Sequence, residues 1–145
     1  MDKELTVKEA MLLVLDKSPE EFERMKTLFK QVSDAFDAAD DQTGLMLISD
    51  KVFPIIRSLT EFCGAIFDYH LSILGEDVGS EFCAKVKRLN ELLVELAEET
   101  NNGNFTEVGD ILRFDLFDFI VDLEEFFPRV RDCFVSSTAK ELEYV

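Results

Sequence analysis

Residues 52–62 read VFPIIRSLTEF, and the chain repeats this pattern as LFDFIVDLEEF at residues 116–126, an offset of 64 positions. Apolar residues recur every three or four positions in both stretches, which is the spacing of one face of an α-helix. The same offset also matches, without a gap, the apolar positions of an earlier stretch with those of a later one. An ungapped register across two helices and the turn between them predicts a duplicated helical hairpin. The matched pairs are Phe53/Phe117, Ile56/Ile120, Leu59/Leu123, Glu61/Glu125 and Phe62/Phe126, then Phe22/Val86, Met25/Leu89, Leu28/Leu92, Phe29/Leu93 and Val32/Leu96.

Two such hairpins predict an all-α fold, an up-and-down four-helix bundle in a single domain over residues 1–145. The predicted repeats cover residues 18–73 and 82–137, while residues 1–17 carry a short N-terminal helix and residues 138–145 form a tail. No stretch alternates apolar and polar residues for long enough to predict a strand. We expect the inner stripe shared by both repeats to be almost fully buried. It comprises Leu28, Val32, Ile56, Leu59, Leu92, Leu96, Ile120, Leu123 and Phe126.

Capping and turn residues mark the helix boundaries. Residues 6–9 and 18–21 both fit the capping box, in which Ser or Thr caps the first turn and Glu reaches back. Pro19 then takes the first helical position, where its missing N–H has no cost. These signals predict a short helix at residues 7–16, separate from a longer one at residues 19–39. Later helices are expected at residues 44–74, at 81–99, and from 104 or 106 to 134 or 136, with breaks at 75–80 and 101–104.

The composition limits the functions that are open to the chain. Hydrophobic residues make up 47% of the 145 positions and 14 residues are Phe, which supplies one core. The net charge of −16 repels phosphate backbones and anionic lipids, so binding to nucleic acid or a membrane surface is not expected. The same charge would attract a basic partner, although many proteins are acidic simply to stay soluble. No run approaches the roughly 18 apolar residues of a membrane span.

Targeting and cysteine signals predict a cytoplasmic protein. The N-terminal residues 1–4, MDKE, lack the basic patch and long apolar run of a secretion signal. Cys63, Cys83 and Cys133 are odd in number, widely spaced and embedded in apolar helical patterns. Free thiols in a reducing compartment therefore fit better than a disulfide framework.

The sequence has no pattern for a metal or cofactor site. A di-metal carboxylate bundle needs Glu-x-x-His pairs on its helices. Gly64 stands three residues after Glu61, and Pro128 stands three residues after Glu125, so this motif is absent. Phosphate-binding glycine loops and nucleophile elbows are absent as well. We therefore expect neither a metal nor a cofactor.

One alternative site surrounds the only histidine. His70 ends an apolar helix face and is interpreted first as a packing residue. Cys63 lies two turns away on the same helix, about 10 Å by helical rise, which is too far for a direct hydrogen bond. Cys133 matches Tyr69 at the repeat offset and would lie nearer to the imidazole. Tyr69, His70 and Cys133 thus define an alternative, an inter-helix cavity that binds a small molecule or acts as an enzyme.

The second repeat carries apolar residues that the first repeat lacks. Phe114, Phe117 and Val121 widen the apolar arc of the last helix, whereas the matching positions of the first repeat are largely polar. Left bare, such a stripe would expose a patch that monomers usually avoid. Either the helix at residues 7–16 lies across it or a second copy of the chain does. With its neighbouring acids, it forms the candidate interaction surface of Phe114, Phe117, Val121, Asp115, Asp118 and Asp122.

Residues 109–116, GDILRFDL, follow an Asn/Gly turn and resemble a helix of small acidic bacterial proteins of unassigned function. Those proteins also tend to pair one helical hairpin with another. The resemblance covers about a third of the chain and implies a bacterial, cytoplasmic, all-helical protein, with no catalytic residues to transfer. In size and class the chain is also similar to flagellar-type export chaperones, at the level of fold alone.

These observations favour a non-catalytic protein-interaction module, such as an adaptor, chaperone or regulator. Abundant apolar helix surface, acidic charge and the absence of an assembled site all point in this direction. The partner would be another protein or a second copy of the chain. The alternative remains a small-molecule binder or enzyme near His70.

Overall fold

The computed structural model describes residues 6–137, and every secondary-structure element in this range is helical, which confirms the all-α prediction. The predicted tail at residues 138–145 and the first residues of the predicted N-terminal segment, 1–5, lie outside this range. In chain order the elements are α1 Val7–Asp37, α2 Asp41–Leu47, the π-helical segment Ile48–Val52, α3 Phe53–Ala65, the π-helical segment Ile66–His70, α4 Leu71–Asn101, α5 Phe105–Asp110, the π-helical segment Ile111–Leu116 and α6 Phe117–Ser136.

The π-helical segments extend the helices instead of ending them. Backbone angles at the entry to each segment stay in the right-handed helical region. Residues 41–70 therefore form one continuous α2–α3 run, and residues 105–136 form an α5–α6 run. Within α4, Gly75 has φ 75° and ψ −177°, angles that glycine adopts without a steric cost. The break predicted at residues 75–80 is thus confined to one residue.

α1 is one unbroken helix, so the prediction of a separate short helix at residues 7–16 is wrong. Pro19 lies inside α1 and has no N–H to donate to the Leu15 carbonyl. The Ser18 hydroxyl donates to that carbonyl instead, at 2.7 Å. Because the acceptor stays satisfied, the helix continues through the proline.

The helix caps follow the sequence signals at two starts. Thr6 Oγ1 accepts a hydrogen bond from the Glu9 N–H at 3.0 Å and caps α1. Asp40 Oδ1 accepts from the Thr43 N–H at 3.3 Å and caps α2. Each cap satisfies one backbone donor that the first turn leaves free.

The turns at residues 38–40 and 102–104 have the same local structure. Ala39 and Gly103, which are 64 positions apart, have positive φ angles of 59° and 73°. In each turn the next residue donates its N–H to the carbonyl five residues back, at 2.8 Å in the first and 3.0 Å in the second. The π-helical segments Ile48–Val52 and Ile111–Leu116 follow the turns at nearly the same distance. Local geometry therefore recurs at the sequence offset.

One hydrophobic core lies between the helices. α1 packs against α2, α5 and α6, and α4 packs against α5 and α6. All the predicted inner-stripe residues are buried except Leu28, which is half-buried. α1 is turned about its axis so that Phe29 points inward with 0% exposure, whereas Leu92, the counterpart of Leu28, is fully buried in α4. The prediction for Leu28 is therefore wrong.

Candidate functional site

The closed seam is the contact between α1 and the α5–α6 run, which approach each other closely. Gly109 faces α1 there, and a Cβ added to it would lie 3.4 Å from Ser33 Oγ. Ion pairs cross the rim of this seam. Arg131 donates to Asp16 at 2.6 Å, Lys26 to Glu124 at 2.7 Å, and Arg113 to Asp37 at 2.7 Å and to Asp34 at 3.2 Å.

The open seam lies between the α2–α3 run and α4, whose Cα atoms approach each other mainly at the π-helical segment Ile66–His70. A groove of about 760 Å³ follows it, lined by Phe67 and one face of α4. Phe67 is 45% exposed and Val94 is 58% exposed. Gly64, on the same helix face as Phe67, has only open space around the position of a Cβ. The lining residues are Phe67, Cys83, Val86, Lys87, Asn90, Glu91, Val94, Glu95 and Glu98.

The bridging cations of the closed seam have no counterparts in the open seam. At the offset of 64, their positions hold an asparagine, a phenylalanine and a serine. Asn90 and Phe67 both line the groove. The open seam therefore lacks the residues that hold the closed seam together by cross-helix ion pairs. The matched pairs are Lys26/Asn90, Arg131/Phe67 and Arg113/Ser49.

The rim of the groove is acidic. Glu91, Glu95 and Glu98 of α4 line it, beside a single cation, Lys87. Glu91 lies 3.7 Å from Arg88. Glu95 and Glu98 form no ion pair with any residue from 6 to 137. An apolar strip is thus bordered by three carboxylates, and two of them, Glu95 and Glu98, have no ion pair within residues 6–137.

The candidate surface predicted on the last helix is only partly open. Phe114 is 54% exposed, whereas Phe117 and Val121 are half-buried. The Lys26 ammonium lies 6.0 Å from the centre of the Phe117 ring, so α1 covers this ring. A hydrogen bond to Glu124 raises the pKa of Lys26, which keeps the ammonium charged. The three predicted acids, Asp115, Asp118 and Asp122, are exposed.

Residues 7–16 do not lie across that surface, so this predicted cover is wrong. Arg131, near the end of α6, pairs with Asp16. Lys8 donates to the Val135 carbonyl at 3.0 Å. Because α1 and α6 are antiparallel, the start of α1 borders the last turns of α6 instead. A second copy of the chain remains a prediction for the exposed part of the surface.

The structure does not bring Tyr69, His70 and Cys133 together as a catalytic group. Tyr69 is 78% exposed. The His70 ring lies 5.9 Å from the Phe134 ring, and burial lowers its pKa. Its Nδ1 is buried and has no hydrogen-bond partner among residues 6–137. The Cys133 thiol donates to the Leu74 carbonyl at 3.7 Å, and burial raises its pKa. His70 is therefore a packing residue beside a phenylalanine.

A different inter-helix cavity lies between α1, α3 and α6. Its volume is about 230 Å³, and Ser18 and Ser58 stand on its wall. Both hydroxyls donate to carbonyls of their own helices. The cavity is therefore mainly apolar in character. Its lining is Val14, Ser18, Glu21, Phe22, Met25, Ile55, Ser58, Leu59, Phe62 and Phe127.

Across residues 6–137, no group of three or more His, Cys, Asp or Glu side chains could hold a metal ion. In the same range, none of the helices combines the length and the apolar character needed to cross a membrane.

Comparison of the chain with protein-family models, curated proteins and solved structures finds no match. The resemblance of residues 109–116 to small acidic bacterial proteins therefore stays a prediction.

Sequence reasoning missed the groove, although the repeat carries a signal for it. Val94 and Phe67 are apolar, whereas their counterparts at the offset, Lys30 and Arg131, are cations. Phe114 is predicted as a surface residue because its counterpart in the first repeat is polar. Val94 and Phe67 meet the same criterion, because each is apolar where the other repeat has a cation.

Proposed function

We propose that this protein is a non-catalytic protein-interaction module that binds a segment of a partner protein in the groove of the open seam. The observation that carries the proposal is the groove itself, an apolar strip about 760 Å³ in volume with an acidic rim. Concentrated exposed apolar side chains mark interaction surfaces on soluble proteins. Full burial of one such Phe or Val side chain contributes about 1.5–3 kcal/mol.

The proposal includes an architecture of two duplicated hairpins, residues 18–73 and 82–137, arranged as a four-helix bundle. Positive-φ turn residues and π-helical segments that recur at the offset support it. So do buried counterparts such as Ile56 and Ile120. In a duplicated bundle the two seams are related contacts. The open seam is then a helix–helix contact with apolar residues, Val94 and Phe67, where the closed seam has the cations Lys30 and Arg131.

Binding is favoured over catalysis because the reactive side chains lie away from the groove or are inert. Burial raises the pKa of the Cys63 thiol to about 12, so it is not a thiolate at neutral pH. His70 faces Phe134 and does not line the groove. Cys83, which does line it, has no histidine among the other lining residues. A nucleophile with an adjacent base is therefore missing from this site.

The test begins with a photoreactive amino acid, p-benzoylphenylalanine, at position 94 or 135 of the full chain in its native cells. Val135 is the control because it is also exposed, at 46%, but lies near the end of α6. A partner that cross-links from position 94 is identified by mass spectrometry and purified. Calorimetry then measures its Kd for the unmodified chain and for the Val94→Glu and Val135→Glu variants.

We expect Val94→Glu to weaken binding by at least about tenfold, because it places a charge at the centre of an apolar contact. Val135→Glu should leave the Kd within about twofold, since rim charges away from the contact matter little. Equal effects of the two variants would exclude the groove as the binding face. Loss on Phe114→Glu alone would move the binding face to the surface predicted on the last helix.

A second candidate function, binding of a small apolar molecule, is favoured by the cavity of about 230 Å³ between α1, α3 and α6. Titration with the neutral dye N-phenyl-1-naphthylamine tests it. Saturable fluorescence that disappears in a Leu59→Trp variant, which fills the cavity, would support this function. Fluorescence that is unchanged in that variant would exclude the cavity as a binding site.

A further inference from the structure

We infer that the segment bound in the groove is a basic amphipathic helix. This inference rests on the proposed function and adds the chemistry of the partner. Its starting point is the closed seam, where cations of one helix pair with acids of the facing helix. There, Asp34 accepts a hydrogen bond from Arg113 and Glu124 accepts one from Lys26.

The open seam keeps an acid at one of these places without its cation. Glu98 is the counterpart of Asp34, but Ser49 stands where the arginine would be. Glu95 and Glu98 both line the groove, and neither has an ion pair within residues 6–137. A partner that supplies lysine or arginine would complete the pattern that the closed seam contains.

The shape of the groove favours a helix as the binding segment. Cys83, Val86, Asn90 and Val94 lie at i, i+3, i+7 and i+11 along one face of α4. From residue 83 to residue 98 the helix rises about 22 Å, which four turns of a partner helix would cover. An added β-strand would need exposed backbone N–H groups at a sheet edge, and residues 6–137 contain no strand.

A second copy of the chain fits this groove poorly. The chain carries a net charge of −16, so two copies repel each other. In a twofold contact through the groove, the same surface meets itself, so a lining with three glutamates and one lysine would face an identical acidic lining. A basic segment is attracted instead, because its cations would lie against the unpaired carboxylates of Glu95 and Glu98.

Three fluorescein-labelled model peptides of about 18 residues test the inference by fluorescence anisotropy. The first places leucine at i, i+3, i+4 and i+7 with lysine elsewhere, the second replaces lysine by glutamate, and the third scrambles the first. We expect the first peptide to bind the full chain at least about tenfold more tightly than the other two, because only it combines an apolar face with positive charge.

Charge variants of the full chain locate the binding site. Glu95→Gln with Glu98→Gln should weaken binding of the basic peptide about fivefold and reduce its dependence on salt. Asp115→Asn with Asp118→Asn removes the same charge from the surface predicted on the last helix and should change binding by less than about twofold. Circular dichroism checks that all variants are folded.

Two results would overturn the inference. Equal weakening by both pairs of variants would mean that the peptide responds only to the overall negative field. Equal binding of the scrambled or the acidic peptide would mean that the groove does not select a basic amphipathic helix. If a partner cross-links from position 94 but these peptide results are negative, the proposed function stands and only the partner chemistry is wrong.

Discussion

The closed and open seams occupy matching positions of the sequence repeat and present opposite surfaces. In the closed seam α1 meets the α5–α6 run closely, and arginine and lysine side chains cross the rim to aspartate and glutamate. In the open seam the α2–α3 run and α4 stay apart, and the matching positions hold neutral or apolar residues. The difference lies in a few rim positions, since core residues such as Ile56 and Ile120 are buried on both sides.

This comparison shows how a repeat can keep its core and change its surface. Core residues contribute to stability through burial, which both repeats need equally. Rim residues contribute little to stability, because each exposed ion pair is worth about 0–1 kcal/mol. Rim positions can therefore diverge at small cost, and one seam becomes free to bind another molecule.

The largest expected change in stability comes from truncating Leu123 or Leu59, which match at the offset of 64. Truncation of either residue to Ala should lower the free energy of unfolding by about 2–5 kcal/mol. Leu123→Ala should cost more, because Leu59 already borders the cavity between α1, α3 and α6. Urea unfolding measures both losses. A loss below about 1 kcal/mol at both sites would mean that the core face is misassigned.

The next largest change in stability is expected at Gly109 of the closed seam, and Gly64 beside the open seam is its control. Gly109→Met should destabilise the fold by about 1–3 kcal/mol, because the new side chain meets Ser33. Gly64→Met should be neutral or stabilising by about 0.5–1 kcal/mol, since glycine is a poor helix former and the space around it is open. Thermal unfolding of the two variants checks the contrast. Equal destabilisation would contradict the distinction between the seams.

A smaller effect is expected for the bridging lysine of the closed seam. Lys26→Met keeps the apolar stem over Phe117 but leaves Glu124 without its cation. We expect a loss of about 1 kcal/mol, and the difference from the unmodified chain should shrink in 1 M salt, where charges are screened to about 3 Å. Asn90→Met, the matched variant of the open seam, should change stability by less than about 0.5 kcal/mol. An equal loss in both variants would remove the special role of the ion pair.

The smallest effect concerns His70, whose counterpart at the offset is Phe134. Burial lowers the pKa of His70 in the folded chain below its ordinary value of 6.5. Below pH 6.5 the unfolded chain therefore binds a proton at His70 more readily than the folded chain does. The free energy of unfolding decreases as the pH falls from 6.5 through the folded pKa.

Urea unfolding at several pH values between 7.5 and 5 tests this with His70→Phe. The variant should lose less stability on acidification than the unmodified chain, because it removes only the histidine contribution. Identical pH dependence of the two proteins would show that burial does not disfavour the protonated imidazolium of His70 in the folded chain.

Much of the fold can be predicted from local signals in the sequence. Thr6 and Asp40 cap helices because their side chains reach backbone N–H groups three residues ahead. The core positions follow from apolar spacing, which needs no knowledge of the neighbouring helix. The same spacing does not determine how far α1 is turned about its axis. It predicts Leu28 in the core, whereas the structure buries Phe29 and leaves Leu28 half-buried.

Three features could not be predicted from sequence patterns: the continuity of α1, the cover over Phe117 and the groove. Each depends on side-chain contacts that helical spacing does not specify. The pattern at residues 18–21 fits a helix start, but the Ser18 hydroxyl satisfies the carbonyl that Pro19 cannot reach. Residues 7–16 are one of the two covers that the sequence predicts for Phe117, but the antiparallel pairing of α1 and α6 places Lys26 there instead. The groove is not predicted by either helix alone, because Phe67 and the exposed face of α4 come from different helices. Both have to be compared with their counterparts in the other repeat.

The sequence by itself determined the helical class, the positions of the turns and most of the core, because periodicity, caps and turn residues act over a few neighbouring positions. Tertiary structure alone decided which seam is closed, which phenylalanines are covered and where an acidic rim lacks cations. Those outcomes depend on which side chains meet across helices that are far apart in the chain. Arg113 and Asp37 form an ion pair only because α1 and the α5–α6 run lie side by side.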